Sequence, residues 1–102
     1  MIENQVERYL HSKIGLIGGL CLKFTATGTS GVPDRLLLYN GRVVFVEVKR
    51  PGEKPRPLQV EVARRLREAG AHVYCLSTKE QVNEFVKDLQ HGYPDSNAYD
   101  EI

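Results

Sequence analysis

Two carboxylates and a lysine are the residues of this 102-residue sequence whose types and spacing could do chemistry. Asp34 ends a Gly-Val-Pro-Asp segment, and Glu47 and Lys49 follow it by thirteen and fifteen positions. Carboxylate oxygens are the ligands that Mg²⁺ prefers, and few are needed because the ion keeps several waters. Such an ion beside an ammonium supplies the charge neutralisation and the activated water that phosphodiester hydrolysis needs. The three side chains therefore predict a hydrolytic metal site in which Lys49 polarises the attacking water.

The sequence also contains the elements that would bring these side chains together. Residues 43–49 are rich in β-branched and aromatic side chains, which predicts a buried strand with both charged residues on one face. Asn40-Gly41 is a strong signal for a type I′ hairpin that joins this strand to one over residues 34–39. Antiparallel pairing then places the aspartate next to the glutamate, with the Val48 carbonyl as a further candidate metal ligand. The alternative is a turn-capping aspartate and an exposed salt bridge.

Two polar side chains on the predicted helices could complete this site. Glu7 lies in the apolar stripe of a helix over residues 3–17, so it should be buried or directed at something. Glu3, one turn earlier, competes for this role, and the alternative is that Glu7 lies at the solvated edge of the stripe. Gln59 begins the second helix and could bind the attacking water or a phosphate. Its alternative is an ordinary polar residue of a first helical turn.

Basic and small residues around the site predict contacts with DNA phosphates. Arg50, Lys54 and Arg56 directly follow the strand that carries the acid and the lysine, although a solvated charged loop is the alternative. Lys23 lies in the first strand, where it either faces the site or is a surface lysine. Ser30 lies in a glycine-rich loop that would allow a phosphate to approach the backbone closely. No base-reading signature is present, so we expect recognition of shape and backbone.

The composition is that of a globular domain without a strong electrostatic bias. The formal net charge is +1, and no apolar run approaches the ~20 residues of a membrane span. The N-terminus lacks the basic and apolar regions of a signal peptide. Cys21 and Cys75 lack zinc-ligand spacing, and we expect both to be buried free thiols. We therefore expect a cytoplasmic protein, because thiols stay reduced in that compartment.

The patterning predicts an α/β fold with the order α-β-β-β-α-β-α, in which a mixed sheet is flanked by helices. The predicted helices cover residues 3–17, 57–69 and 78–89, and the predicted strands cover residues 20–25, 34–39, 43–49 and 73–76. The second helix has the apolar stripe Leu58, Val62, Leu66 and Ala69. We expect one domain over residues 1–92 and an acidic tail over residues 93–102, which has three acidic residues and no basic one.

Together these residues resemble the PD-(D/E)xK nuclease pattern, with Asp34 as the first acid and Glu47-Val48-Lys49 as the second segment. More narrowly, the chain resembles the VRR-NUC domain in its small stand-alone phage and bacterial form. The further matches are Val6-Glu7 with Leu10, Gly18-Gly19 with Lys23-Phe24, Gly31-Val32-Pro33-Asp34-Arg35, Lys49 with Pro51-Gly52, Pro57-Leu58-Gln59, and Gly70-Ala71 with Val73-Tyr74.

The resemblance implies a restriction-endonuclease-like core and a nuclease that depends on Mg²⁺ or Mn²⁺. In such a nuclease Asp34 and Glu47 bind the metal, Lys49 is the catalytic lysine, and Glu7 and Gln59 support the site. The resemblance also implies a homodimer that resolves branched DNA such as a Holliday junction. Two alternatives stay open from the sequence. One is a restriction-type nuclease that prefers a sequence or nicks one strand, and the other is a non-catalytic DNA-binding module.

Overall fold

The computed structural model describes residues 2–92, with side chains from Gln5 onward. Its elements follow the order that the helical stripes and apolar runs of the sequence predict. The elements are α1 (Ile2–Leu16), β1 (Leu20–Lys23), β2 (Arg35–Tyr39), β3 (Arg42–Val48), α2 (Pro57–Glu68), β4 (His72–Leu76) and α3 (Lys79–His91). The prediction of a mixed α/β sheet flanked by helices is confirmed. The Glu3 side chain and the predicted tail over residues 93–102 lie outside the described residues.

The four strands lie in the order β1-β2-β3-β4. The first three pair antiparallel, and β4 pairs parallel to β3 after the crossover through α2. Parallel neighbours need such a crossover, whereas antiparallel neighbours can be joined by two residues. Asn40 and Gly41 make that short connection with φ angles of 48° and 79°, the pair of positive values that a type I′ turn requires. The hairpin prediction is therefore confirmed.

Alternating side chains of β3 contribute to two different cores. Val44, Val46 and Val48 are at most 1% exposed and pack in the larger core, between the sheet and the helices α1 and α3. The smaller core forms where α2 covers β4, and Ala63 is its buried helical member. Because strand side chains alternate, Glu47 lies on the α2 side of the sheet. The acid predicted to be functional therefore shares a face with the smaller core.

The apolar stripe predicted for α2 is correct at Leu66, which packs against the smaller core, and wrong at its two ends. Leu58 is 52% exposed and Ala69 is exposed, whereas the buried residues of the helix are Gln59 and Ala63. A polar side chain enters the interface because it hydrogen-bonds to Glu47 there, which offsets the cost of its burial. Apolar periodicity could not find this face, since one of its key residues is polar.

The first two strands are shorter than the sequence predicts. β1 ends at Lys23, after which one more backbone hydrogen bond joins the Phe24 N–H to the Asp34 carbonyl at 2.9 Å before the chain leaves the sheet. β2 begins at Arg35, so the aspartate lies just before the strand. Cys21 is only partly buried because it lies on an edge strand, which corrects the prediction that both thiols are buried. Among residues 2–92, no helix has the length and apolar character to cross a membrane.

Candidate active site

Glu47 and Lys49 lie at the end of β3 and are both buried. They are 6% and 7% exposed, and the Lys49 Nζ atom lies 3.6 Å from the Glu47 Oε2 atom. The Lys49 N–H donates to the Leu76 carbonyl at 2.9 Å, which holds the lysine beside the sheet although the strand has ended. The alternative of an exposed salt bridge is therefore wrong.

Asp34 lies directly opposite Glu47 across the hairpin. The register pairs Arg35 with Val46, and one step further along the strands places the two acids side by side. Burial, and then the charge of Asp34, raise the pKa of Glu47 to about 7, although Lys49 acts in the opposite direction. The two carboxylates that the sequence places thirteen positions apart therefore repel each other in a buried setting, as the hairpin geometry predicts.

The Asp34 carboxylate has an unfilled hydrogen-bonding position. Its Oδ1 atom is buried and has no hydrogen-bond partner among the described residues. Burial and then the charge of Glu7 raise its pKa, while the Arg35 charge and the Val48 N–H lower it. An orphaned buried oxygen is costly, and a bound cation would remove that cost.

The donor set fits a hard divalent cation. Asp34 and Glu47 would hold it, because Mg²⁺ binds through one or two carboxylates and keeps several of its waters. Among the described residues no group of three His, Cys, Asp or Glu side chains is placed to share an ion. A role for the Val48 carbonyl as a third ligand stays a prediction, and the backbone N–H of that residue contacts the Asp34 carboxylate.

Gln59 connects the N-terminus of α2 to the acid on β3. Its Oε1 atom accepts from the Arg56 N–H at 2.8 Å, and its Nε2 donates to the Glu47 Oε2 atom at 3.2 Å. The side chain is 5% exposed. Both ends of the amide are thus used, one to cap the helix and one to orient the carboxylate. The Gln59 side chain therefore links α2 to Glu47, and its part in the chemistry stays a prediction.

Glu7 reaches the neighbourhood of the site but is paired with a cation there. Its carboxylate accepts a short hydrogen bond from the Arg35 guanidinium, and both side chains are about one-fifth exposed. Arg35 is the functional candidate that sequence reasoning missed. Its signal was its position directly after Asp34, on the same strand face as buried Leu37. Because the arginine neutralises it, Glu7 is a weaker candidate for a metal ligand than the other two acids.

The residues predicted to bind DNA are all at the surface. Arg50 is exposed and pairs with Glu53 at 3.6 Å, and Lys54 and Arg56 are exposed in the loop that leads into α2. Ser30 is exposed as well. Arg50 directly follows Lys49 in the chain, and contact of the three loop cations with DNA stays a prediction.

Lys23 lies on the other side of the sheet from Glu47. It pairs with Arg35 across the strands, in the alternation that turns Cys21 toward α1. It is exposed on the face of the sheet opposite Glu47, which fits the surface-lysine alternative, and its contact with DNA stays a prediction. Any contact it makes with DNA would be on the α1 side.

Comparison with known proteins identifies the family. No family model matches the chain. A protein of Acyrthosiphon pisum secondary endosymbiont phage 1, named "Putative nuclease p44", is 44% identical over 79 residues, which are 76% of this chain and 85% of that protein. A solved structure of a VRR_NUC domain superposes with a TM-score of 0.80 at 35% identity, covering 85% of this chain and 96% of that one. The chain belongs to the VRR-NUC nuclease family.

This assignment confirms the resemblance drawn from the sequence. The match to the VRR-NUC structure extends over most of both chains, so it includes the sheet and its helices. It supports nuclease chemistry as the function class of this protein. The roles of individual residues rest on the geometry described above.

Proposed function

We propose that this VRR-NUC protein is a metal-dependent DNA endonuclease that hydrolyses phosphodiester bonds in branched DNA as a homodimer. The observation that carries the proposal is the buried Oδ1 atom of Asp34, which has no partner among residues 2–92 and lies beside a second buried carboxylate. A DNA-binding module has no use for two acids where phosphates must approach, because like charges repel. A bound cation would turn the same acids into a phosphate-binding centre.

Each residue of the candidate site has a separate role in the proposed reaction. When bound, Mg²⁺ or Mn²⁺ supplies charge neutralisation at the phosphate and lowers the pKa of a water. Asp34 and Glu47 would hold the ion, and Gln59 keeps the Glu47 carboxylate in one orientation. Lys49 places a buried ammonium beside the acid, where it can stabilise the negative charge that develops on the phosphate oxygens.

The direct test replaces each acid with its amide. Asp34→Asn and Glu47→Gln should abolish cleavage of a labelled four-way junction in Mg²⁺ or Mn²⁺ and leave DNA binding intact. Both changes remove a repulsive charge from a buried pair, so we expect both variants to fold. Glu68→Gln, on the exposed surface of α2, is the matched control and should cut normally. Near-normal cleavage by either acid variant would contradict the mechanism.

The homodimer is supported by an uncovered apolar face of the sheet. α2 packs on β4, and the α2 side of β1 and the first part of β3 is left exposed. Leu20, Leu22 and Val43 are 58%, 45% and 48% exposed there. Register pairing puts Leu20 and Val43 on either side of Leu38, so these side chains form one surface. A surface of this kind, without charged side chains, suits a second copy of the same face.

The branched substrate is tested by direct comparison. We expect a four-way junction to be cut at lower enzyme concentration than linear duplexes of varied sequence, because two sites in a dimer can act on symmetric strands. Equal cleavage of the junction and of linear duplexes, or cleavage confined to one duplex sequence, would instead assign a restriction-type nuclease. DNA binding without cleavage in either metal would assign a binding module.

A further inference from the structure

A second cluster of polar side chains lies beside the acids, on the α1 side of the sheet. Glu7, Arg8 and His11 of α1 and Arg35 of β2 line an open cavity of about 210 Å³. Residues three and four apart on a helix share a face, so the three α1 side chains line one wall of this cavity. Three of the cations that the sequence predicted to bind DNA lie elsewhere, with Arg50, Lys54 and Arg56 in the loop after β3, whereas Lys23 is the cross-strand neighbour of Arg35.

The cavity keeps positive charge after its internal pairing. Arg35 and Glu7 neutralise each other through their ion pair. Arg8 is exposed and makes no hydrogen bond or ion pair with the described side chains, and the same is true of His11. An arginine and an imidazole are therefore available to a ligand. The planar guanidinium, with five N–H donors, is especially suited to phosphate oxygens.

The cavity lies where β2 begins, close to the candidate active site. Arg35 directly follows Asp34 in the chain, and the Glu7 carboxylate acts electrostatically on the Asp34 carboxylate. A polynucleotide with one phosphate at Asp34 would therefore have neighbouring phosphates within reach of this wall of α1. The basic loop after β3 would lie near the same strand from the other side.

We propose that this cavity is a second phosphate-binding subsite, in which Arg8 and His11 hold a phosphate group of the nucleic acid next to the one that is cleaved. The inference rests on the proposed nuclease function and adds a second place at which the protein binds its substrate. The ligand chemistry is a phosphate group, either an internal phosphodiester of the backbone or a terminal phosphate monoester. Arg35 and Glu7 line the same cavity as an ion pair.

The test removes the two available donors and measures binding. In Arg8→Gln with His11→Gln, affinity for a labelled four-way junction, measured by fluorescence anisotropy in Ca²⁺, should fall about tenfold at low salt. The slope of log affinity against log salt should become shallower by about one, the effect of one lost phosphate contact. Arg65→Gln, an exposed arginine of α2 paired with Glu61, is the control and should change none of these values.

Duplexes that end in a 5′-phosphate or a 5′-hydroxyl separate the two sources of phosphate. A terminal phosphate subsite predicts tighter binding of the phosphorylated end, lost in the double variant. A backbone subsite predicts no such preference together with the shallower salt slope. If the unmodified protein cuts DNA and the double variant keeps its affinity and its slope, the subsite is wrong and the nuclease function stands. If the unmodified protein does not cut DNA, the proposed function itself fails.

Discussion

At the residue scale, the candidate site contains two neighbouring carboxylates whose like charges repel each other. Asp34 and Glu47 both have a raised pKa, first because of burial and then because of a neighbouring acid. Lys49 offsets only part of this for Glu47. A protein keeps such an arrangement where function needs it, because raised carboxylate pKa values cluster at catalytic and metal-binding sites.

The raised pKa of Glu47 predicts how stability depends on pH in metal-free buffer. Its ordinary pKa is 4.5 and its folded pKa is about 7, so between these values the folded state holds a proton that the unfolded state has released. The free energy of unfolding should therefore fall as the pH rises from 4.5 to 7, by at most about 1.4 kcal/mol per pH unit for one proton. Urea unfolding of the protein and of Glu47→Gln, which lacks this group, isolates the effect as a difference. A difference that is constant or that grows in favour of the unmodified protein over this range would contradict the assignment.

Gln59 provides a test of positioning that is separate from folding. Gln59→Leu removes both hydrogen bonds, so we expect a cleavage rate lower by roughly 10–100-fold and a stability lower by about 1 kcal/mol. Gln59→Glu keeps an acceptor for the Arg56 N–H but places a third acid beside Glu47. It should therefore keep more of the stability and still lose activity, because the added charge displaces the Glu47 carboxylate from the orientation that the amide holds. Full activity in Gln59→Glu would show that the amide does not position the carboxylate.

At the element scale, the loop before β2 is held by its close approach to α2. Gly31 has a φ of +83°, a region that L side chains rarely adopt, and a Cβ there would lie 3.0 Å from the Leu58 Cγ atom and 3.1 Å from the Leu58 carbonyl oxygen. Leu58 therefore packs against the loop at Gly31, although the side chain is 52% exposed. It also fixes the chain three residues before Asp34.

Gly31→Ala and Gly28→Ala separate the cost of the backbone conformation from the cost of the contact. Gly28 has nearly the same φ, +82°, and no atom within 4 Å of an added Cβ. Gly28→Ala should destabilise by about 1–2 kcal/mol through the backbone alone. Gly31→Ala should cost at least about 1 kcal/mol more and lower the cleavage rate, because the loop must shift away from α2. Equal destabilisation and equal activity in the two variants would contradict this account.

At the scale of the whole molecule, the two faces of the sheet are covered unequally. α1 and α3 pack on one face over the larger core, whereas α2 covers only the β4 side of the other. The uncovered apolar surface extends along β1 toward the acids. Leu22 and Phe24 follow Leu20 on the same face, and Phe24 pairs with Asp34 through its backbone N–H. A second copy docked on this face would bring two sites into one particle.

Charged substitutions on the uncovered face should separate assembly from chemistry. Leu20→Glu with Val43→Glu should give a monomer by analytical ultracentrifugation, because like charges would then meet across a symmetric interface. The monomer should nick one strand of a junction and lose paired cuts on symmetric strands. Leu16→Glu, at an exposed leucine on α1, is the control and should keep the dimer. A Leu20→Glu, Val43→Glu protein that still dimerises and makes paired cuts would place the interface elsewhere.

The sequence by itself determined the order of the elements and the central pair of acids. The type I′ turn at Asn40-Gly41 is a local signal, and once it forms, strand alternation and antiparallel register place Asp34 against Glu47 without further information. Lys49 follows from the same alternation. These features depend on contacts between near neighbours in the chain, which is why patterning could predict them.

The tertiary structure alone decided how the helices meet this pair. Arg35 pairs with Glu7, which is 28 positions away in the chain. Gln59 lies on the buried face of α2 and hydrogen-bonds to Glu47, which is 12 positions away. Such choices depend on how rigid elements pack, where a polar side chain is buried as readily as an apolar one if its hydrogen bonds are satisfied. Hydrophobic periodicity cannot predict such polar partners. The contacts of Arg35 and Gln59 and the uncovered face of the sheet are therefore seen only in the tertiary structure.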